Sequence, residues 1–148
     1  MIWTPHVTVA AVVEQEGRYL LVEEYVSGTR VLNQPAGHWE QHETLIEGAI
    51  RETLEETGYH FQPTALVGIY RWPHPAKAIT YLRFAFAGEI VDFDPTRPLD
   101  AGIVRTVWLT PEEIRAQAAQ HRSPLVSRCV EDHLAGRRYS LELLRHLT

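Results

Sequence analysis

Polar and apolar residues alternate near the start of the chain, and this pattern predicts β-strands. The segment HVTVAAVVEQEGRYLLVEE, residues 6–24, is rich in β-branched residues and is interrupted at Glu16-Gly17. Two strand-like segments around such a dipeptide are typical of antiparallel strands joined by a tight turn. We therefore expect the fold to begin with a hairpin. A further short strand is expected at VLNQPAGH, residues 31–38, where Pro35 ends it and Gly37 supplies a flexible turn.

The apolar residues change to a helical period after this turn. Thr44 and Glu47 have the spacing of a capping box, and Gly58 is suited to a helix end. Between them an apolar stripe recurs with helical spacing at Leu45, Ile46, Ala49, Ile50 and Leu54. We expect one well-defined helix between Thr44 and Gly58.

The second half of the chain changes from strands to helices. Strand-like segments follow at ALVGIYRW, AITYLRFAFAGEI and IVRTVWL, with proline-rich loops between them. Helix-start signals then occur at Thr110 and Ser123, and a last short helix is expected at SLELLRHL, so that helices cover about 110–147. The predicted architecture is α/β, one domain over residues 1–148, with a mixed sheet between helices.

Composition and charge exclude several classes of partner. The net charge is -5, and the 14 lysines and arginines form no basic run, which argues against a nucleic-acid polymer. No apolar run has the length of a membrane span. The single Cys129 forms no internal disulfide and no secretory signal begins the chain, so we expect a reducing cytoplasm.

Candidate chemistry is concentrated on the predicted helix. Glu52, Glu55 and Glu56 are spaced so that they share one side of a helix, where like charges repel. Three converging carboxylates suit Mg²⁺, which prefers oxygen ligands. The alternative is a solvent-exposed acidic face, which is what most glutamate-rich helices have. The surrounding residues favour the metal site, because Glu43 precedes the helix and Arg51 stands beside the acids.

These residues together resemble a known family. Gly37, Glu43, Arg51-Glu52, Glu55-Glu56 and Gly58 match the spacing of the Nudix box, here residues 37–59. Two aliphatic packing positions of the box differ, being Thr53 and Tyr59. The resemblance implies a Nudix-type α/β/α sandwich with a mixed sheet.

A second resemblance extends outside the box. The segments HVTVA, NQPAGH, LRFAFA and RSPLV are similar to the NudJ-type phosphatases of this family. That similarity implies a Mg²⁺-dependent phosphohydrolase, with Mn²⁺ as a substitute. The expected substrates are nucleoside tri- and diphosphates and pyrimidine or thiamine diphosphates, with release of orthophosphate.

Two other activities remain open for a Nudix chain. One is a pyrophosphatase that cleaves ADP-ribose or converts a nucleoside triphosphate to the monophosphate, and the other is a non-catalytic binding module. The expected assembly is a monomer or a homodimer.

The family likeness also implies roles for individual residues. Glu52, Glu55 and Glu56 would bind the metal together with the backbone carbonyl of Ala36. Glu52 or Glu55 would serve as general base. Arg51 and Glu43 would pair and hold the helix and loop in register. A glutamate outside the box often completes the metal site, and Glu89 is the candidate.

Substrate-binding residues are expected next to the box and in one strand. Arg83 is a charged residue amid apolar ones, and we expect it either to bind phosphate through its guanidinium or to form an edge salt bridge. Asn33, Gln34 and His38 adjoin the box and could line the pocket, although turn hydrogen bonding explains Asn33 nearly as well. Stacking on a substrate ring is the less favoured alternative to packing for Trp39, Tyr70 and Trp72.

Overall fold

Eight strands and three helices follow one another in the computed structural model, which describes all residues from 1 to 148. The strands are His6–Val12 (β1), Glu14–Gln15 (β2), Arg18–Val26 (β3), Thr29–Asn33 (β4), Ala36–His38 (β5), Tyr59–Pro73 (β6), Thr80–Phe93 (β7) and Ile103–Leu109 (β8). The helices are Leu45–Thr57 (α1), Pro111–Ala116 (α2) and Pro124–Leu134 (α3). None of these helices is long and apolar enough to cross a membrane.

A mixed sheet forms the centre of the fold. Its strand order is β5-β1-β7-β6, with β1 and β7 parallel and the other pairs antiparallel. The residues from Val9 to Val13 in and after β1 are at most 1% exposed, because helices cover both faces of this sheet. On one face α1 contributes Ala49 to a core with Val9, Ala11 and Phe86, and on the other α3 contributes Val126, Cys129 and Val130 to a second core. The predicted α/β/α arrangement with a mixed sheet is confirmed.

A second, antiparallel sheet contains the remaining strands. Strand β3 is its centre and pairs with β2, β4 and β8. The loop that leads from β7 in the first sheet to β8 in the second passes the C-terminal end of α1, where Asp100 N–H donates to the carbonyl of Glu55 at 3.0 Å. This hydrogen bond fixes the loop against the helix that contains the box glutamates.

The opening hairpin differs from the prediction. The tight turn is present, with Glu16 and Gly17 both at positive φ (51° and 79°), but it joins β3 only to the two-residue β2. Strand β1 instead pairs with β5 and β7 in the other sheet. The apolar pattern continues through the point where the chain passes between sheets, so the pattern could not reveal the change of partner.

Local signals at helix ends are confirmed, except at the C-terminus. Both capping boxes form, at Thr44 and at Thr110, and Gly58 ends α1 in the left-handed conformation. The predicted last helix is wrong, because only a 3₁₀ turn at Leu141–Leu143 is present. Leu143 and Leu147 are 62% and 87% exposed, so a longer helix would bury little apolar surface to offset its ordering.

Candidate active site

Three carboxylates from two separate segments meet at the C-terminal half of α1. Oxygens of Glu52, Glu55 and Asp100 all lie within 4.8 Å of one another, and we name this group the acid cluster. Asp100 comes from the β7–β8 loop, which its backbone hydrogen bond holds against α1. Burial is the main cause that raises the pKa of both Glu52 and Asp100. The group therefore favours a nearby cation.

Gly37 lets α1 approach β5 closely. A methyl group built on Gly37 would lie 2.2 Å from both Cδ and Oε1 of Glu52, far inside van der Waals contact. The expected role of this glycine as a flexible turn is wrong, because Gly37 lies in β5 and is not among the residues with positive φ. The glycine is required for space, and the space is filled by the Glu52 carboxylate.

Glu56 occupies a different position from the acid cluster. Its Oε1 accepts a hydrogen bond from Ala36 N–H at 2.9 Å, which joins α1 to β5. Burial raises the pKa of Glu56 to about 8, although the hydrogen bond from Ala36 acts in the opposite direction. In the metal-free protein, Glu56 is consequently a carboxyl group that is costly to ionise.

Arg51 connects the acids to the preceding loop. Its guanidinium forms a two-point contact with Glu43 (Nε to Oε2 2.9 Å, Nη2 to Oε1 2.8 Å), and Nη1 donates to Glu52 and Glu55 at 2.9 and 2.8 Å. Nη2 also donates to the carbonyl of His38 at 3.0 Å. The hydrogen bonds from Arg51 hold the pKa of Glu43 below its usual value. The predicted Arg51 and Glu43 pair is thus present, and the cation offsets part of the repulsion among the acids.

The donor set around the acid cluster fits a hard divalent cation. The grouped side chains offer only carboxylate oxygens, and no cysteine or histidine belongs to the group. Oxygen-only sites suit Mg²⁺, Ca²⁺ or Mn²⁺ better than the softer transition metals.

A cavity lies on the other side of β5. It has a volume of about 200 Å³ and is lined by Ala36, Gly37 and His38 of β5, the strand that also contacts Glu56, Glu52 and Arg51 of α1. We name it the donor cavity, because its polar wall includes Asn33, Lys77, Arg83, Arg122 and Ser123. Trp72 and Tyr81 form an aromatic wall, with their rings stacked at 5.9 Å and 17°. A ligand there meets a cationic, hydrogen-bond-donating surface and a flat apolar one.

Arg83 lies in this cavity wall but is almost completely buried. It is 4% exposed, and it donates to Gln34 Oε1 at 2.8 Å and to Asn33 Oδ1 at 3.1 Å. The alternative of an edge salt bridge is wrong, because β7 is an interior strand and Arg83 pairs with no carboxylate. A buried guanidinium with only neutral partners is well placed to interact with an anionic ligand.

Some of the other residues named from the sequence line the donor cavity, and others lie outside it. Asn33 and His38 line the donor cavity, whereas Gln34 is 1% exposed and is not part of its lining. Of the three aromatic candidates only Trp72 faces the cavity; Trp39 donates to the carbonyl of Glu43 at 2.8 Å, and Tyr70 donates to Asp132 at 2.8 Å.

The structure offers a second candidate for the acid outside the box. Glu89 is exposed on β7 and is absent from the acid cluster, whereas Asp100 is part of it. Sequence reasoning also missed Arg122, Lys77 and Tyr81 in the cavity wall. The only signal for Asp100 was its place in a polar loop between two predicted strands.

Comparison with known proteins agrees with this geometry. A family model described as NUDIX domain matches residues 4–129. A curated relative, Phosphatase NudJ of Escherichia coli strain K12, is 46% identical over 140 residues, covering 95% of this chain and 90% of the relative. A solved NUDIX hydrolase from Nitrosomonas europaea is 54% identical with a TM-score of 0.95, covering 97% of this chain and 98% of that one.

A second solved structure extends the likeness of fold. Another NUDIX hydrolase from Nitrosomonas europaea is 24% identical, with a TM-score of 0.75 over 95% of this chain and 78% of that one. The resemblance inferred from Gly37, Glu43, Arg51-Glu52, Glu55-Glu56 and Gly58 is therefore confirmed. The chain belongs to the Nudix family, and it is a hydrolase that acts on phosphoric anhydride bonds.

Proposed function

We propose that this hydrolase is a Mg²⁺-dependent phosphatase of small phosphorylated metabolites. Its substrates are nucleoside tri- and diphosphates and pyrimidine or thiamine diphosphates, and it releases orthophosphate. The observation that carries the proposal is that the acid cluster and the donor cavity meet at β5, where Gly37 lines the cavity and also lies against the Glu52 carboxylate. The acid cluster suits a metal-chelated phosphate chain, and the donor cavity suits a flat ring with hydrogen-bond acceptors. The relative named Phosphatase NudJ supports the same reaction class.

The acid cluster is the proposed metal site. Glu52, Glu55 and Asp100 would hold Mg²⁺, or Mn²⁺ in its place, with Glu56 and the carbonyl of Ala36 at its border. A divalent cation in such a site neutralises phosphate charge and lowers the pKa of a bound water. This ligand set keeps the family assignment for Glu52, Glu55, Glu56 and Ala36 and adds Asp100 on the strength of its position.

The surrounding side chains orient the site. Arg51 and Glu43 keep the loop before α1 in register with the acids, through the contacts at 2.8 and 2.9 Å. Glu52 or Glu55 serves as general base, because each is within the acid cluster and accepts a hydrogen bond from Arg51 that fixes its orientation. Glu56 fastens β5 to α1 through Ala36.

The donor cavity is proposed to bind the part of the substrate that stays intact. Of the two arginines that line the cavity, Arg122 is the more accessible. Its side chain is 45% exposed, although it pairs with the buried Glu24. Lys77 and His38 add further donors to the lining, and Trp72 and Tyr81 offer a face on which a ring can stack. We assign this reaction to one domain over residues 1–148 acting in the cytoplasm, the compartment that suits the single free Cys129.

The attacked phosphorus is identified by isotope labelling. ATP and thiamine diphosphate are each hydrolysed with Mg²⁺ in oxygen-18 water, and products are followed by phosphorus NMR and mass spectrometry. We expect labelled orthophosphate with ADP or thiamine monophosphate, because water attacks the terminal phosphorus. Pyrophosphate as the first product from ATP would instead establish the pyrophosphatase reaction. Absence of any turnover across a panel of phosphorylated metabolites would indicate a binding module.

A further inference from the structure

The orientation of two amide side chains is determined by Arg83. A guanidinium has five N–H donors and no acceptor, so a neighbouring amide can only turn its oxygen toward it. Both Gln34 Oε1 and Asn33 Oδ1 accept from Arg83, at 2.8 and 3.1 Å. The amide nitrogens must therefore point away from the guanidinium.

The two amide nitrogens have different surroundings. Gln34 Nε2 donates to the carbonyl of Val126 in α3 at 2.9 Å, so Gln34 is fixed at both ends inside the protein. Asn33 Nδ2 makes no hydrogen bond within the protein, and Asn33 lines the donor cavity. Arg83 Nε is the only fully buried side-chain nitrogen or oxygen without a hydrogen-bond partner. Asn33 Nδ2 also has no partner within the protein, so it cannot be fully buried. Because Asn33 lines the cavity, this accessible N–H group is the donor that Asn33 can offer to a ligand there.

Arg83 itself cannot offer a free fork to a phosphate. Two-point recognition of phosphate needs two N–H groups that face the ligand. Nε is sealed from the cavity, and Nη1 is directed to Gln34 and toward Cys129 Sγ at 3.8 Å. The guanidinium therefore acts on the ligand mainly through the amide that it orients.

We propose that Arg83 is a positioning residue that fixes Asn33 as a hydrogen-bond donor, and that this donor makes the cavity select flat rings with an acceptor on the facing edge. The ring class is a flat heterocycle with a ring nitrogen or carbonyl acceptor, lying beside Trp72 and Tyr81. This inference rests on the proposed function, which places the substrate's ring in the donor cavity. It adds that the Asn33 donor selects rings with a hydrogen-bond acceptor.

Two ligands of the same shape test the rule. Pyrimidin-5-ylmethyl diphosphate has ring nitrogens where benzyl diphosphate has C–H groups. We expect the wild-type protein to show a KM about tenfold lower for the pyrimidine, the effect of about one hydrogen bond, with similar kcat values. A merely structural role for Asn33 and Arg83 would not produce a KM ratio that depends on ring nitrogens.

Substitutions at Asn33 and Arg83 replace the Asn33 donor by an acceptor or free the Asn33 amide to rotate. Asn33→Asp has the same shape, places an acceptor toward the cavity and gains an ion pair with Arg83, so it should fold and bring the KM ratio to about one or below. Arg83→Met leaves the Asn33 amide free to turn and should lower the ratio, whereas Arg83→Lys keeps a cationic donor and should retain more of it. Gln15→Glu adds the same charge as Asn33→Asp on the exposed β2 and should leave the ratio unchanged.

Circular dichroism and thermal melting establish that each variant is folded. Equal KM values for the two ligands in the wild-type protein, or an unchanged ratio in Asn33→Asp, would overturn the inference. If the wild-type protein hydrolyses neither ligand, the proposed function fails for this substrate class. Calorimetric titration of both ligands then still decides the inference, because tighter binding of the pyrimidine supports the donor rule and equal affinity refutes it.

Discussion

The two regions on either side of β5 have opposite electrostatic character and suit different parts of a ligand. On the α1 side, the acid cluster concentrates negative charge that Arg51 offsets only in part. On the other side, the donor cavity presents N–H groups and a buried guanidinium without a carboxylate partner. The first side has an excess of negative charge, and the second has cationic and N–H donor groups in its wall. The proposed substrate, a metal-chelated diphosphate attached to a heterocyclic ring, would suit both regions at once.

Removal of divalent cations should have the largest effect and tests the acid side as a whole. After stripping with EDTA, we expect turnover of any substrate to fall by several orders of magnitude, because no other group nearby can lower the pKa of the attacking water. Mg²⁺ or Mn²⁺ should restore it, since the donors are all oxygens. Undiminished turnover in the stripped, folded protein would contradict the assignment of the acid cluster as a metal site.

Glu55→Gln should lower kcat by about a hundredfold or more, equivalent to about 2.7 kcal/mol. The change removes one charged ligand from the acid cluster and leaves the donor cavity intact, so KM for a ring-containing substrate should change little. Steady-state kinetics at saturating Mg²⁺ measure both constants. Glu112→Gln, an exposed residue of α2, is the matched control. A kcat within twofold of wild type would favour the solvent-exposed acidic face.

Asp100→Asn and Glu89→Gln distinguish the two candidates for the acid outside the box. We expect Asp100→Asn to reduce kcat about tenfold and to raise the Mg²⁺ concentration needed for half-maximal rate, a typical loss for an altered metal site. Glu89→Gln should leave both unchanged, because Glu89 lies outside the acid cluster. Magnesium titrations of the two variants make the comparison. The reverse result would restore Glu89 as the acid that completes the site.

Arg122→Gln should change KM and spare kcat, the opposite of the result on the acid side. Loss of a cation from the donor cavity weakens substrate binding by about 1 kcal/mol or roughly fivefold. The substitution also leaves the buried Glu24 without its partner, so the double variant with Glu24→Gln separates lost binding from lost stability. If kcat falls and KM does not, the two sides of β5 are not functionally distinct.

The smallest expected effect is a change in the stability of the metal-free protein, produced by Glu56→Gln. The folded-state pKa of Glu56 is about 8 and its ordinary value is 4.5, so between these values the folded state binds more protons than the unfolded state. The stability contributed by protonated Glu56 is present below pH 4.5 and is lost as pH rises through about 8. Glu56→Gln removes this loss and should raise Tm at pH 8 in EDTA by roughly 5 °C, or about 1–2 kcal/mol for this chain length.

Calorimetry at pH 5 and pH 8 checks the sign of this effect. The difference in Tm between Glu56→Gln and wild type should be larger at pH 8 than at pH 5. A Tm difference that does not depend on pH would mean that ionisation of Glu56 does not limit the stability of the metal-free protein.

Local signals in the sequence predicted the acid side well. The capping box at Thr44, the apolar stripe of α1 and the spacing of the glutamates are all contained in one continuous segment, and helix geometry alone brings such residues together. The pairing of Arg51 with Glu43, which lies in the loop just before α1, was implied by the family likeness and spans only eight positions. Reasoning from adjacent residues was sufficient there because the contacts are short in sequence.

Sequence reasoning named Asn33, His38 and Arg83 as pocket residues one by one, but the hydrogen bond between Asn33 and Arg83 and the place of Asp100 could not be predicted from adjacent residues. Asn33 in β4 and Arg83 in β7 are 50 positions apart and belong to different sheets, so they meet only in the folded structure. Asp100 reaches the helix through a loop that joins two different sheets. The partner of β1 was mistaken for the same reason, since an alternating pattern shows that a strand is buried and does not show what it pairs with.

Strand β5 is an edge strand of only three residues, hydrogen bonded to β1 alone within its sheet. The proposed occupants of the acid cluster and of the donor cavity would therefore contact the same short segment, and a displacement of β5 by one of them would be felt by the other. Any resulting cooperativity must be reciprocal, so a ring that tightens cation binding by some factor is itself bound more tightly by that factor in the presence of the cation.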